Sequence, residues 1–311
     1  MKIAFFEIKP QERAFFSSRL KEHEIDFYET TINEALGKEA DYEAVSIFIH
    51  SKIDDEVLAK LPKLRYLQTR STGYEHLVCK TLYEKGIVAS NVAGYGGPAV
   101  AEFAFSLLLN ATRKTYIAID RAKKGVFEYH DLNGMELFGK RLGILGLGTI
   151  GSQMACIGKG MGMQLMAWSR RRKDIVDELE IEFTKNLDDL LGECDVIMIA
   201  LPLTPATRNL LNRENVTKLK KSAIVVNVAR AQIIEDELYG ELENSLCLDV
   251  VSDVRYIVRH NIIYTPHMAY YTSEALERIM KISLENLKAF MEGREVPNCL
   301  KLACNRDYTN Q

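Results

Sequence analysis

Cysteine is scarce in this sequence, and it is not arranged to staple anything. The six thiols, Cys79, Cys156, Cys194, Cys247, Cys299 and Cys304, form no C-x-x-C pair. No His or Cys cluster has the spacing of a zinc site, so no metal is expected. Several of these thiols lie in apolar runs, where a free cysteine behaves as a small hydrophobe. Buried, reduced thiols and a cytoplasmic protein are therefore expected. Long apolar runs are missing too: no stretch reaches the roughly 20 apolar residues that a membrane helix needs. The opening MKIAFFEIKP is interrupted by Glu7 and Lys9, and reads as a first strand rather than a signal peptide. Charge of one sign is also lacking. Forty Lys and Arg against 43 Asp and Glu leave a formal net charge of -3, which gives no reason to expect nucleic acid or an anionic membrane as partner. Internal repeats and low-complexity segments are absent.

What is present is an ordinary soluble composition, 47% hydrophobic and 27% charged over 311 residues. A chain of this length buries roughly three quarters of its unfolded surface and folds without disulfide or metal. Short apolar runs alternate with helical patterns from the start. Ile3–Phe6, Ala44–His50, Leu64–Thr69 and Ile87–Ser90 read as strands, with helices over Gln11–His23 and Asp54–Leu61, the latter stopped by Pro62. That βαβ rhythm predicts a parallel sheet covered on both faces.

The texture changes after Gly94-Tyr95-Gly96-Gly97-Pro98. Ala99–Lys114 predicts a long helix, apolar nearly all round, with Pro just ahead of it. A second series of strands follows: Arg141–Leu145, Gln164–Trp168, Val196–Ala200, Ala223–Asn227, Ser245–Asp249 and Ile262–Tyr264. Ser273–Glu292 is again helical, and the polar tail Lys301–Gln311 is expected to be loose. The expected organisation is α/β, with two doubly wound parallel-sheet domains. Residues 1–94 and 273–311 form a smaller domain, and residues 95–272 form a second domain inserted into it.

Between the strand Arg141–Leu145 and a helical pattern lies Gly146-Leu147-Gly148-Thr149-Ile150-Gly151. In that setting Gly146 makes a tight turn, Gly148 lets backbone approach a pyrophosphate, and Gly151 lets helix and strand pack closely. The helix N-terminus then offers free N–H groups to phosphate charge. Glycines used only for a turn are the plainer reading, and the flanking strand and helix argue against it. The next strand ends in Trp168-Ser169-Arg170-Arg171-Arg172. A dinucleotide fold built for NAD places an acid there to hold the ribose 2′-hydroxyl. A small hydroxyl and arginines suit a 2′-phosphate instead, so NADP(H) is the expected cofactor, with NAD(H) tolerated. A solvated basic turn that accepts both cofactors is the alternative.

Three further segments each follow an apolar strand: Leu201-Pro202-Leu203-Thr204-Pro205-Ala206-Thr207, Val226-Asn227-Val228-Ala229-Arg230 and Thr265-Pro266-His267. In the first part, Arg70-Ser71-Thr72-Gly73-Tyr74-Glu75-His76 and Asn91-Val92-Ala93-Gly94-Tyr95-Gly96 occupy equivalent strand ends. With these motifs in this order, the chain resembles the D-isomer-specific 2-hydroxyacid dehydrogenase family, in its D-lactate dehydrogenase-like branch. The likeness runs from the first strand to about Gly293. It implies a dinucleotide-binding Rossmann domain inserted into a flavodoxin-like substrate domain. It also implies a homodimer and hydride transfer between NAD(P)H and a small 2-keto acid of the pyruvate, glyoxylate or hydroxypyruvate type.

The resemblance further implies that Arg230 binds the substrate carboxylate and His267 gives or takes the proton. A keto acid's carboxylate suits a bidentate guanidinium, and the oxygen charge left by hydride transfer needs an acid titrating near neutrality. Backbone N–H groups at Thr72 and Gly73 would hold the carboxylate, with Tyr95 and the Tyr270-Tyr271 pair lining the pocket. Thr149 and Ile150 would cap the phosphate loop, and Pro202 and Thr207 would line the nucleotide cleft. Val228, Ala229 and Asp249 would lie on the nicotinamide side. One family position departs: the Glu that steadies the catalytic histidine falls on Val254. Asp253, one residue early, is expected to replace it. If it does not, a dinucleotide-binding redox sensor with weakened chemistry is the competing reading.

Overall fold

The computed structural model describes residues 1–300, so the expectation for the tail Lys301–Gln311 lies outside the described residues. The backbone packs as two units, Met1–Tyr95 with the segment from Thr272 onward, and Gly96–Tyr271.

The first unit is a five-stranded sheet of β1 (Lys2–Phe5), β2 (Glu24–Phe27), β3 (Ala44–Ile47), β4 (Tyr66–Thr69) and β5 (Val88–Ser90). All pairings are parallel and the order is β2-β1-β3-β4-β5, the flavodoxin-like arrangement. Side chains alternate across a strand, so β1 feeds two cores. Ile3 and Phe5 pack with Phe16, Tyr66 and Leu287 on one face, while Ala4 and Phe6 pack with Val45, Ile47 and Leu67 on the other. The helix Ser273–Met291, capped by Thr272 Oγ1 accepting from the Ala275 N–H, lays Ile279, Ser283 and Leu287 inward.

The second unit is a seven-stranded parallel sheet: β6 (Arg141–Leu145), β7 (Gln164–Trp168), β8 (Glu182–Thr184), β9 (Val196–Ile199), β10 (Ile224–Asn227), β11 (Ser245–Leu248) and β12 (Ile262–Tyr264). Its order, β12-β11-β10-β9-β6-β7-β8, is the dinucleotide-binding arrangement with one added edge strand. Ile144, Met198, Val226 and Cys247 fill one face, and Leu145, Ile199, Val225 and Leu248 the other. The helix Gly97–Arg113 covers the first of these faces through Ala101, Ala104, Phe105 and Leu108. It stops at Lys114, whose φ of 50° is left-handed. Cys194 and Cys247 are buried as expected, and burial pushes both thiols up to about 12. Cys156 and Cys299 are exposed, which corrects the expectation of generally buried thiols.

Candidate active site

The register of the larger sheet brings the motifs together. Trp168 pairs with Leu145, Leu145 with Ile199, Ile199 with Asn227, Asn227 with Leu248, and Leu248 with Tyr264. Six strands therefore end at one level, and the residues that follow all leave from one edge. These are Gly146, Ser169, Pro202, Val228–Arg230, Asp249 and Thr265–His267. Adjacent strands lie about 4.8 Å apart, so the Arg230 and His267 loops, two strands apart, start roughly 10 Å from each other. The order reverses between β9 and β6, and ligands bind at such a switch point.

At that point stands the glycine loop, and its geometry fits a dinucleotide pyrophosphate. Gly146 has φ +99°, and a Cβ there would meet Leu201 Cδ2 at 2.8 Å and the Ala200 carbonyl oxygen at 2.9 Å. A Cβ on Gly151 would stand 1.8 Å from the Gly146 carbonyl oxygen, so helix and loop touch backbone to backbone. Gly148 is the opposite case: nothing lies within 4 Å of where its Cβ would be. It heads the helix Thr149–Gly160 with no side-chain cap, leaving the first-turn N–H groups of Thr149 and Ile150 for an anion.

Past β7, Ser169 Oγ donates to the Arg171 carbonyl at 2.7 Å, fixing a tight turn. Arg172 is held bidentately by Asp177. Arg170 and Arg171 are exposed, and among the described residues no hydrogen bond or ion pair engages either guanidinium. Past β9, Thr207 Oγ1 donates to the Pro202 carbonyl at 2.6 Å and accepts from the Thr204 N–H at 2.8 Å. Thr207 thus shapes the turn that carries Pro202.

Past β10, the buried Asn227 does work that its sequence position did not reveal. Its Oδ1 accepts from the Ala229 N–H and its Nδ2 donates to the Arg230 carbonyl, both at 3.0 Å. Val228, Ala229 and Arg230 are therefore held by one amide. The Arg230 guanidinium donates to the Ala229 carbonyl at 2.9 Å.

Asp249, read from the sequence as a nicotinamide contact, is 0% exposed and turned to the His267 loop. Its Oδ1 accepts from Thr265 Oγ1 at 2.6 Å and the Met268 N–H at 2.9 Å, and its Oδ2 accepts from the Ala269 N–H at 2.8 Å. Between those anchors His267 adopts φ 54°, a left-handed conformation uncommon for a non-glycine residue. The Tyr270 ring meets the imidazole edge-on, with centroids 6.4 Å apart. Asp253, expected to face His267, gives its carboxylate to Arg255: Oδ1 accepts the backbone N–H at 2.8 Å and Oδ2 the Nε–H at 2.7 Å. That pairing holds the Asp253 carboxyl below its ordinary range. An aspartate heading the turn Val254–Val258 caps its own backbone more readily than it reaches a side chain.

In the first unit, three successive carbonyls of the turn after β4 are pinned. The Ser71 carbonyl accepts from the Val92 N–H at 2.9 Å. The Thr72 carbonyl accepts from Asn91 Nδ2 at 2.7 Å and the Gly73 carbonyl from Ser71 Oγ at 2.6 Å. In a trans peptide the next N–H points the opposite way. The N–H groups of Thr72 and Gly73 are thus turned away from the pinned side, and have no partner among the described residues. Arg70, fully buried beneath this turn, donates to the Phe6, Glu7 and Ser46 carbonyls, and burial lowers its pKa. Tyr95 is buried, and its carbonyl accepts from Arg278 Nε at 2.7 Å.

Comparison with known proteins agrees with this arrangement. The family model described as D-isomer specific 2-hydroxyacid dehydrogenase, NAD binding domain, matches residues 105–269. A glyoxylate reductase of Aeropyrum pernix is 35% identical over 293 residues, covering 87% of this chain and 85% of the relative. The apo-structure of D-lactate dehydrogenase from Escherichia coli superimposes with a TM-score of 0.87 at 29% identity, covering 96% of this chain and all of that one. A D-lactate dehydrogenase from Aquifex aeolicus, solved with NAD and lactic acid, gives 0.84 at 28% identity over 94% of this chain and 96% of its own. With a glycine loop at the switch point and Arg and His leaving the same edge, the chain belongs to the D-isomer-specific 2-hydroxyacid dehydrogenase family, oxidoreductases that move a hydride between a nicotinamide dinucleotide and a 2-hydroxy acid.

Proposed function

We propose that this chain reduces small 2-keto acids, of the pyruvate, glyoxylate or hydroxypyruvate class, to D-2-hydroxy acids with NADPH. The observation that carries it is the common strand-end level of the larger sheet, which sends Arg230, Asp249 and His267 from the edge that bears the glycine loop. When bound, the dinucleotide supplies the hydride. Thr149 and Ile150 hold its pyrophosphate from the helix N-terminus. Arg230 and the Thr72 and Gly73 N–H groups bind the substrate carboxylate, and Tyr95 and Tyr270 wall the pocket. His267 gives its proton to the carbonyl oxygen as charge develops there. Reduction therefore uses the protonated imidazole as donor, and oxidation of the hydroxy acid the neutral imidazole as acceptor. Asp249 positions His267 through its flanking backbone. Because Asp253 is engaged by Arg255, Asp253→Asn is expected to leave the pH profile of reduction in place. A displaced profile would restore Asp253 as the histidine's partner.

The preference for NADPH rests on Ser169 where NAD-binding folds carry an acid, with Arg170 and Arg171 exposed beside it. The first test is oxidation of NADPH and of NADH, in parallel, against a panel of 2-keto acids. Ser169→Asp is expected to lower the NADPH-to-NADH ratio of kcat/KM by on the order of 100-fold, since it repels the 2′-phosphate and bonds the 2′-hydroxyl. An unchanged ratio would sink the preference. Tight dinucleotide binding with no turnover on any keto acid would favour the redox-sensor reading instead.

The proposed working form is a cytoplasmic homodimer. Ile119, Phe127, Tyr129 and Phe138 are exposed within one stretch of the second unit, and are the apolar side chains it would offer to a second copy. No helix among the described residues is long and apolar enough to cross a membrane.

A further inference from the structure

The pinned turn after β4 is itself held by a chain of hydrogen bonds that ends on a histidine. Ser71 Oγ lies 2.6 Å from the Gly73 carbonyl oxygen, Thr69 Oγ1 lies 2.7 Å from Ser71 Oγ, and His76 Nε2 lies 3.0 Å from Thr69 Oγ1. The first link fixes the direction of all the others. A carbonyl only accepts, so the single Ser71 proton goes to Gly73. Ser71 Oγ must then accept from Thr69, which uses the single Thr69 proton. Thr69 Oγ1 must in turn accept from His76, so His76 carries a proton on Nε2. Thr69 and Ser71 are 0% and 3% exposed, so both hydroxyls sit away from bulk solvent and their bonds to one another set the order.

We infer that His76 is a positioning residue for substrate binding. By donating from Nε2 through Thr69 and Ser71 it keeps the Gly73 carbonyl turned inward. The Thr72–Gly73 backbone then stays in the conformation that presents its N–H groups to the carboxylate. The histidine is well placed for the task, because its own carbonyl accepts the Ile53 N–H at 3.0 Å and fixes its backbone. Without the Nε2 proton, Thr69 turns its hydroxyl toward the ring, Ser71 loses its donor, and the Gly73 carbonyl is released. The three links lie in the first unit and lead to the backbone of the carboxylate-binding turn, so the effect is read in substrate affinity. The inference rests on the reading of the Thr72–Gly73 turn as the carboxylate site.

The test compares His76→Met, which keeps bulk and removes the donor, with His76→Gln, whose amide N–H replaces Nε2. In steady-state reduction of pyruvate by NADPH, His76→Met is expected to raise KM about five- to tenfold, the size of one neutral hydrogen bond, with kcat changed less than twofold. His76→Gln is expected to return KM to within about twofold of the parent, with NADPH affinity constant throughout, because one donor replaces another. Thr69→Val is expected to reproduce the methionine variant, and the double variant to add nothing further. Equal KM values for the methionine and glutamine variants, or an unmoved KM in both, would overturn the inference. Nitrogen NMR of the histidine-labelled parent gives a reading independent of any variant's folding: Nε2–H is expected, and an Nδ1–H tautomer overturns it. An inactive parent enzyme would instead refute the proposed reaction, which keeps the two failures apart.

Discussion

Arg230→Lys is expected to lower kcat/KM for keto-acid reduction by roughly 100-fold or more, although the charge is kept. Guanidinium meets a carboxylate with two parallel N–H donors in a fixed plane, whereas an ammonium offers one direction at a time. Losing one charge-assisted hydrogen bond costs about 1.5–3 kcal/mol, and each 1.36 kcal/mol is tenfold in rate. The loop contributes to the loss. Asn227 holds the Arg230 backbone through both ends of its amide, and Arg230 itself donates to the Ala229 carbonyl. The guanidinium is thus delivered by a pre-set loop, and a shorter-reaching head group has no slack to recover the distance. His267→Gln is expected to cost 10²–10⁴-fold in kcat, the usual range for a general acid. In both variants the affinity for NADPH should stay within about twofold, since the proposed pyrophosphate contacts are backbone N–H groups at the glycine loop, apart from either side chain. Stopped-flow reduction and fluorescence titration of NADPH separate the two quantities. Full activity in either variant would remove that residue from the mechanism. Lost cofactor binding in both would mean that the sheet edge had collapsed.

The parts of this protein that sequence shows best are those built by repetition. Short apolar runs marked β1, β3, β4, β5 and six strands of the larger sheet, because a strand buried on both faces carries no polar alternation. The two strands that escaped, Glu24–Phe27 and Glu182–Thr184, are short edge strands with exposed or half-buried positions, so nothing in their composition separates them from a loop. The glycine loop was legible because its flanks, a strand and a helix, give the pattern its context. Roles carried by neutral polar groups were not. Asn227, Asn91 and His76 act by hydrogen-bonding a backbone atom or one hydroxyl, and no spacing rule announces such a partner. Asp249 and Asp253 show the same limit with charge. Both stand after β11, and sequence offers no reason for one to turn inward to the His267 loop while the other caps the turn Val254–Val258.

The inward turn of Asp249 gives the second large effect. Asp249→Ala is expected to lower kcat by about 100-fold, the cost of roughly an ångström of misplacement at a catalytic group, while His267 itself remains intact. The carboxylate holds Thr265, Met268 and Ala269, residues on both sides of the histidine. His267 between them has a φ of 54°, a conformation that costs on the order of 1–3 kcal/mol and persists only where the surroundings impose it. Removing the clamp lets the backbone relax to negative φ, and that rotation carries the imidazole away from the edge where Arg230 emerges. Asp249→Asn discriminates this account from a simple loss of charge. Its amide has one acceptor oxygen and one donor nitrogen, and wherever the nitrogen goes it faces a backbone N–H, either Met268 or Ala269. One anchor must therefore break, and Asn should behave nearly as badly as Ala. Were Asp249 acting only through its field on the imidazole, Asn would keep the loop geometry and shift only the pH profile. A crystal structure of Asp249→Asn with His267 still at positive φ, together with parent-like kcat at the pH optimum, would rule out the clamp.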